Sequence, residues 1–111
     1  MRILLLVVAL AACGGGSDVD RLLGAQCSED RDCDERCLGP NAEYPEGLCS
    51  LRCTDDRDCP SDARCVDASG GVCLFSCRDA LDCDFLGDAW TCRAQFLQDD
   101  RNTKVDVCLG R

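Results

Sequence analysis

Twelve cysteines constrain this chain more than any other feature. They fall at 27, 33, 37 and 49, at 53, 59, 65 and 73, and at 77, 83, 92 and 108. Each quartet opens C-x5-C, and C-x3-C joins one quartet to the next (Cys49 to Cys53, Cys73 to Cys77). The residues between the cysteines repeat too. Cys27-Ser-Glu-Asp-Arg-Asp-Cys33 matches Cys53-Thr-Asp-Asp-Arg-Asp-Cys59, and Cys77-Arg-Asp-Ala-Leu-Asp-Cys83 is a looser third copy. The units close alike, on Gly47-Leu48-Cys49, Gly71-Val72-Cys73 and Val107-Cys108. A recurring period of this kind marks a repeated structural unit. Three tandem units follow, over 27–52, 53–76 and 77–111.

Composition agrees. The chain has 13 cysteines in 111 residues, above the roughly 8–10% that signals a disulfide scaffold in a short secreted chain. Its aromatic residues are Tyr44, Phe75, Phe85, Trp90 and Phe96. So few large apolar side chains cannot fill a conventional core, and a small domain short of core needs covalent staples. The expected fold is therefore small and disulfide-rich, mostly loops and short β-ribbons with little helix. The net charge of −9 and the lack of histidine set nucleic acid aside as a partner, because a phosphate backbone would be repelled.

The N-terminus has a different character. Residues 1–12 read MRILLLVVALAA: one basic residue, an apolar run from Ile3 to Leu10, then small residues. The run is far shorter than the roughly 20 residues of a spanning helix and fits a signal peptide over 1–12. Leu10-Ala11-Ala12-Cys13 resembles the lipobox of bacterial lipoproteins. The resemblance implies a diacylglycerol thioether on Cys13, cleavage before it, and acylation of the freed amine. Such an anchor makes the membrane itself the partner, since two or more acyl chains hold stably where one does not. Parity fits this reading: an odd cysteine in an exported chain needs an explanation, and assigning Cys13 to lipid leaves twelve. Residues 13–26 then comprise the lipidated cysteine and a flexible tether, Gly/Ser-rich at its start. Gly14 rather than Asp follows Cys13, which by analogy with enterobacterial sorting points to the outer membrane. The side that the ectodomain faces stays open.

Four cysteines per unit allow three pairings, and sequence alone does not choose among them. First with third and second with fourth is the expectation, because crossing ties both loops together. It gives Cys27–Cys37, Cys33–Cys49, Cys53–Cys65, Cys59–Cys73, Cys77–Cys92 and Cys83–Cys108. Short strands are expected at 47–51, 71–75 and 104–109, and a helical turn near 78–86. Phe85, Trp90 and Phe96 are expected to form a mini-core against the disulfides.

The string Cys-x-x-Asp-x-Asp-Cys-Pro-Ser-x-Ala-x-Cys over 53–65, with Gly-Gly-Val-Cys over 70–73, resembles the Dickkopf N-terminal cysteine-rich module. It is similar to cysteine-rich repeats in lipoproteins of myxobacteria. The C-x5-C-x5-C core also resembles part of the whey-acidic-protein four-disulfide core, which implies first–third pairing. That core's adjacent Cys-Cys is missing here, and its inhibitory segment lies ahead of the matched part. Protease inhibition is therefore not carried over residue by residue.

Chemistry is sparse. The cysteines lack the C-x2-C spacing of redox motifs, and export places them where thiols oxidise, so no zinc site or cofactor is expected. Without histidine there is no Ser–His or Cys–His set, and no enzyme is expected. The acidic clusters Glu29-Asp30-Asp32, Asp55-Asp56-Asp58 and Asp79-Asp82-Asp84 offer oxygens to Ca²⁺. Asp is equally a turn former and helix cap. Two loops are candidate binding surfaces: 38–48 around Tyr44, and 93–107 with a hairpin tip at 98–104 carrying Arg101. The expectation is a monomeric, envelope-anchored, non-catalytic binding or structural module. The alternatives are an inhibitor presenting stapled loops and a calcium-stabilised adhesion module.

Overall fold

The structure, a computed structural model, describes residues 19–111. One motif is built three times. In each unit the C-x5-C segment forms a short 3₁₀ turn, and the rest of the unit forms a two-stranded antiparallel hairpin. The turns are Asp30–Asp32, Asp56–Asp58 and Ala80–Leu86. The hairpins pair β1 (Arg36–Leu38) with β2 (Leu48–Ser50), β3 (Ala63–Val66) with β4 (Val72–Phe75), and β5 (Trp90–Phe96) with β6 (Lys104–Gly110). The fold is the expected small disulfide-rich one, and the third unit carries the longest hairpin.

Register explains the crossed disulfides. Cys37 stands opposite Cys49, Cys65 opposite Cys73, and Cys92 opposite Cys108. Directly opposed residues share one face of a ribbon. The opposed pair is not bonded to itself. Each member reaches instead to a cysteine of the C-x5-C segment, giving Cys27–Cys37 with Cys33–Cys49, Cys53–Cys65 with Cys59–Cys73, and Cys77–Cys92 with Cys83–Cys108. Two bonds side by side thus clamp a 3₁₀ turn across one face of a hairpin. Each contributes about 2–4 kcal/mol by restricting the unfolded chain.

The units are not beads on a string. Their hairpins share one core in which Phe75, Leu74, Val66, Val72, Trp90, Val107, Leu109 and Leu48 are buried with the disulfides of the second and third units, while Cys27, Cys33 and Cys49 of the first form a small cluster of their own. Backbone bonds stitch the seams. Cys73 N–H of the second unit donates to Leu51 O of the first. Gln98 N–H donates to Cys65 O, and Asp67 N–H to Phe96 O, joining the second and third units. The first and third units also meet, where Gly110 N–H donates to Glu43 O. Ser50 is fully buried, and its hydroxyl donates to the Cys73 carbonyl at 2.6 Å.

Two expectations are corrected. Residues 20–26 are not free tether. Gly24 N–H donates to Cys49 O, Cys49 N–H donates to Ala25 O, and Leu23 is buried. Leu23 has core to cover, which a polar Gly/Ser linker does not, so the chain is folded from at least Asp20. The aromatic mini-core is also divided. Trp90 is buried, and Phe85 packs edge-on against Phe75 with ring centroids 4.9 Å apart. Phe96 lies at the far end of β5, opposite Lys104. There it is exposed, with the Lys104 ammonium 5.0 Å from its ring centroid.

Candidate functional site

The acidic clusters are the most repeated polar feature, and their local bonding accounts for much of the repeat. The last Asp of each C-x5-C segment folds back on the segment's own start. Asp32 Oδ2 accepts Ser28 N–H at 3.0 Å, Asp58 Oδ2 accepts Thr54 N–H at 2.8 Å, and Asp82 Oδ2 accepts Arg78 N–H at 2.7 Å. The middle Asp reaches forward to the hairpin. Asp30 Oδ1 accepts Cys37 N–H at 2.9 Å, and Asp56 Oδ1 accepts Cys65 N–H at 2.8 Å. Asp55 and Asp79 cap their turns, accepting from Arg57 N–H and Leu81 N–H. An oxygen accepting backbone N–H is the capping chemistry expected of Asp.

These bonds set the local electrostatics. Backbone donation from Ser28 and Glu29 holds Asp32 below its ordinary value of 3.8. Backbone and hydroxyl donation from Thr54 does the same for Asp58. Asp55 is held down by the Arg57 guanidinium, which it meets at 2.9 Å. All three are surface carboxylates favoured in the charged form, the form that accepts hydrogen bonds.

The cysteine sulfurs also cluster. In each unit three of them lie within 4.8 Å of one another: Cys27, Cys33 and Cys37; Cys53, Cys59 and Cys65; Cys77, Cys83 and Cys108. Adjacent crossed disulfides produce this crowding, and a disulfide sulfur has no thiolate to give a metal.

The two loops fare differently. Tyr44, expected in a binding loop, is 3% exposed. Its hydroxyl lies 3.0 Å from Ser69 Oγ in the second unit, and burial raises its pKa above the ordinary 10.0. It is a packing residue between units, because a large amphipathic ring in a core this poor in aromatics is worth more inside than out. Arg101 stands on the exposed tip between β5 and β6 and meets Asp67 at 3.4 Å. The tip is locally braced: Asp100 accepts from the Thr103 hydroxyl at 2.6 Å and from Asn102 N–H at 3.1 Å. Cys13 lies outside the described residues.

One feature escaped the sequence reading. A cleft of about 340 Å³ opens between the third unit and the segment 19–26 with Gly47, and Trp90 is in its lining. The indole Nε1 of Trp90 is buried without a hydrogen-bond partner among the described residues. The scarcity of aromatics marked Trp90 as core, and nothing in the sequence placed it beside residues 24–47. Among the described residues, no helix is long and apolar enough to cross a membrane. No protein-family model matches this chain, and no curated protein or solved structure matches it significantly.

Proposed function

We propose that the chain is an envelope-anchored lipoprotein whose ectodomain is a non-catalytic binding or structural module. Cysteine accounting carries the reading. Six disulfides take up twelve of the thirteen cysteines. The thirteenth is Cys13, which follows an apolar run and the small residues Ala11-Ala12, where the lipobox resemblance requires the lipid acceptor. Folding from Asp20 onward leaves only a short span, 14–19, between anchor and fold. At roughly 3.3–3.6 Å per residue over the seven steps from Cys13 to Asp20, the start of the fold lies within about 25 Å of the anchor.

The test is incorporation of labelled palmitate when the full-length chain is expressed in a bacterium. Label in the wild type and none in Cys13→Ser is the expected result. Equal label in both, or none in either, would remove the anchored reading.

The braced tip of the third hairpin supports a second reading, an inhibitor that presents the 93–107 loop, tip at 98–104, to a protease. Pre-ordered loops lose less entropy on binding. Titration of the ectodomain against serine and cysteine proteases tests it, and no inhibition at micromolar concentration would end it.

A further inference from the structure

The outer edge of β5 repeats an edge that is already occupied in the second unit. There Cys65 C=O accepts Gln98 N–H at 3.0 Å, and Asp67 N–H donates to Phe96 O at 2.7 Å. These bonds flank the antiparallel pair of Val66 with Leu97. The segment Phe96-Leu97-Gln98 is thus laid along the end of β3. Cys65 N–H, on the same edge, is taken by Asp56 Oδ1.

Cys92 and Ala94 stand in the third unit where Cys65 and Asp67 stand in the second. Register shows which way their backbone groups point. Arg111 N–H donates to Ala89 O, and Leu97 N–H to Thr103 O, so these bonds flank the pairs Trp90–Gly110 and Phe96–Lys104. Bonded and non-bonded pairs alternate along an antiparallel ladder. Thr91, Arg93 and Gln95 therefore bond β6, and Cys92 and Ala94 turn their N–H and C=O outward. At the ends of this edge the groups are used: Trp90 N–H donates to Gly87 O, Phe96 N–H to Gln95 Oε1, and Phe96 O accepts from Asp67. Ala80 replaces the Asp that would accept Cys92 N–H. Arg93 and Ala94 are exposed and Cys92 is half-buried, so the middle of the edge meets solvent. In the second unit a 3₁₀ turn and an added segment share one such edge. The edge of β1 is less suited, because that strand stops at Leu38, ahead of Gly39-Pro40.

The residue between the two docking groups sets the partner's chemistry. Val66 is fully buried and faces Leu97. Its counterpart is the exposed Arg93, whose guanidinium donates to Gly110 O at 2.8 Å. Opposite charges across a ladder attract and like charges repel. Two β5 edges paired antiparallel would set Arg93 against Arg93, which disfavours a second copy.

We propose that the β5 edge takes up an extended acidic segment of a partner protein, antiparallel to β5, with an Asp or Glu opposite Arg93. The residue before that carboxylate accepts Ala94 N–H, and the residue after it donates to Cys92 C=O. Addition of a strand to an open edge gives affinity through main-chain bonds and specificity through side chains. This inference names a partner class for the binding-module reading and rests on it. It is independent of the lipid anchor, so palmitate labelling and strand binding can fail separately.

The isotope-labelled chain from residue 13, carrying Cys13→Ser, is titrated with two capped pentapeptides, Thr-Val-Glu-Val-Thr and Thr-Val-Lys-Val-Thr. A saturable NMR shift of the Cys92 and Ala94 amides with the Glu peptide, half-complete at a concentration on the order of 1–10 mM, is expected. The Lys peptide should bind roughly two- to fivefold more weakly, the worth of a cross-strand charge pair. Arg93→Gln should erase that preference. Ala94→Pro should abolish binding, because proline removes the outward N–H and is tolerated on an edge. No saturable shift with β5 unchanged, shifts centred elsewhere, or equal affinity for both peptides would each overturn the proposal. Dimerisation of the peptide-free chain through the same amides, seen by sedimentation, would give the edge to a second copy and overturn it too. The titration with β5 unchanged stands even if Ala94→Pro does not fold.

Discussion

The side chain of Asp56 accepts the backbone N–H of Cys65, nine residues later, at 2.8 Å. It ties the second 3₁₀ turn to the first strand of its own hairpin, beside the Cys53–Cys65 bond. Asp30 does the same for Cys37 in the first unit. The third unit has Ala80 at this position and lacks the tie. There the 3₁₀ segment is longer and ends on the buried Leu86.

Asp56→Ala should therefore cost more than a surface substitution. It removes the bond to Cys65 and an ion pair to Arg64 at 2.7 Å. Because the pair is partly exposed, the expected loss is modest, about 1 kcal/mol. Guanidinium unfolding with disulfides intact measures it. Asp84→Ala, whose side chain has no such bond to a strand, serves as the comparison and should lie within about 0.5 kcal/mol of wild type.

Stability should fall in acid. Asp32, Asp55, Asp58 and Asp100 all sit below 3.8 in the fold. A depressed carboxylate adds stability above its unfolded pKa and loses it as pH falls through the folded one. Tm should thus be flat from neutral pH to about pH 5 and drop below about pH 4. In the double variant Asp32→Asn/Asp58→Asn the acid drop should be shallower. An unchanged slope in that variant would contradict the assignment.

Tyr44→Phe should lose about 1 kcal/mol, because it deletes the buried hydroxyl that meets Ser69 and leaves that exposed serine to water. The sign of its pH effect is opposite to that of the carboxylates. A raised tyrosine pKa gives stability that is present below pH 10 and lost as pH rises through the folded value. Ultraviolet titration should place Tyr44 ionisation above that of a free tyrosine, with a steeper alkaline stability loss in wild type than in Tyr44→Phe.

Gly47→Ala should block oxidative folding of the first unit. Gly47 has φ +79°, and a Cβ there would overlap the carbonyl oxygen of Cys27. Strain and collision act together where the first disulfide begins. Gly70→Ala is the control, since that position has φ +84° but open space. Yield of fully oxidised monomer separates the two: Gly70→Ala should fold with reduced stability, and Gly47→Ala should not fold.

The legible part of this fold lay in its cysteines. Valine and leucine beside the closing cysteines marked 47–51, 71–75 and 104–109 as strands, and β2, β4 and β6 lie there within a residue at each end. Their partners Arg36–Leu38 and Ala63–Val66 were not legible, because their strand state comes from register opposite a cysteine and not from an alternating apolar pattern. The two short 3₁₀ turns were hidden for a related reason: an Asp that caps a turn and an Asp that waits for calcium look alike in sequence. Tyr44 and Leu23 were misplaced because their burial depends on contacts between units. A repeat describes each unit alone and says little about how neighbours share one core. The Trp90 cleft lies at such a junction.

The central claim divides thirteen cysteines into three crossed pairs of disulfides and one lipid acceptor. Mass spectrometry of the protein from bacterial membranes, digested without reduction, tests it most directly. The account predicts Cys27–Cys37, Cys33–Cys49, Cys53–Cys65, Cys59–Cys73, Cys77–Cys92 and Cys83–Cys108 as linked peptides, and Cys13 as a lipid-modified N-terminus. Linkage within an opposed pair such as Cys37–Cys49, or Cys13 found in a disulfide or as a free thiol, would contradict it.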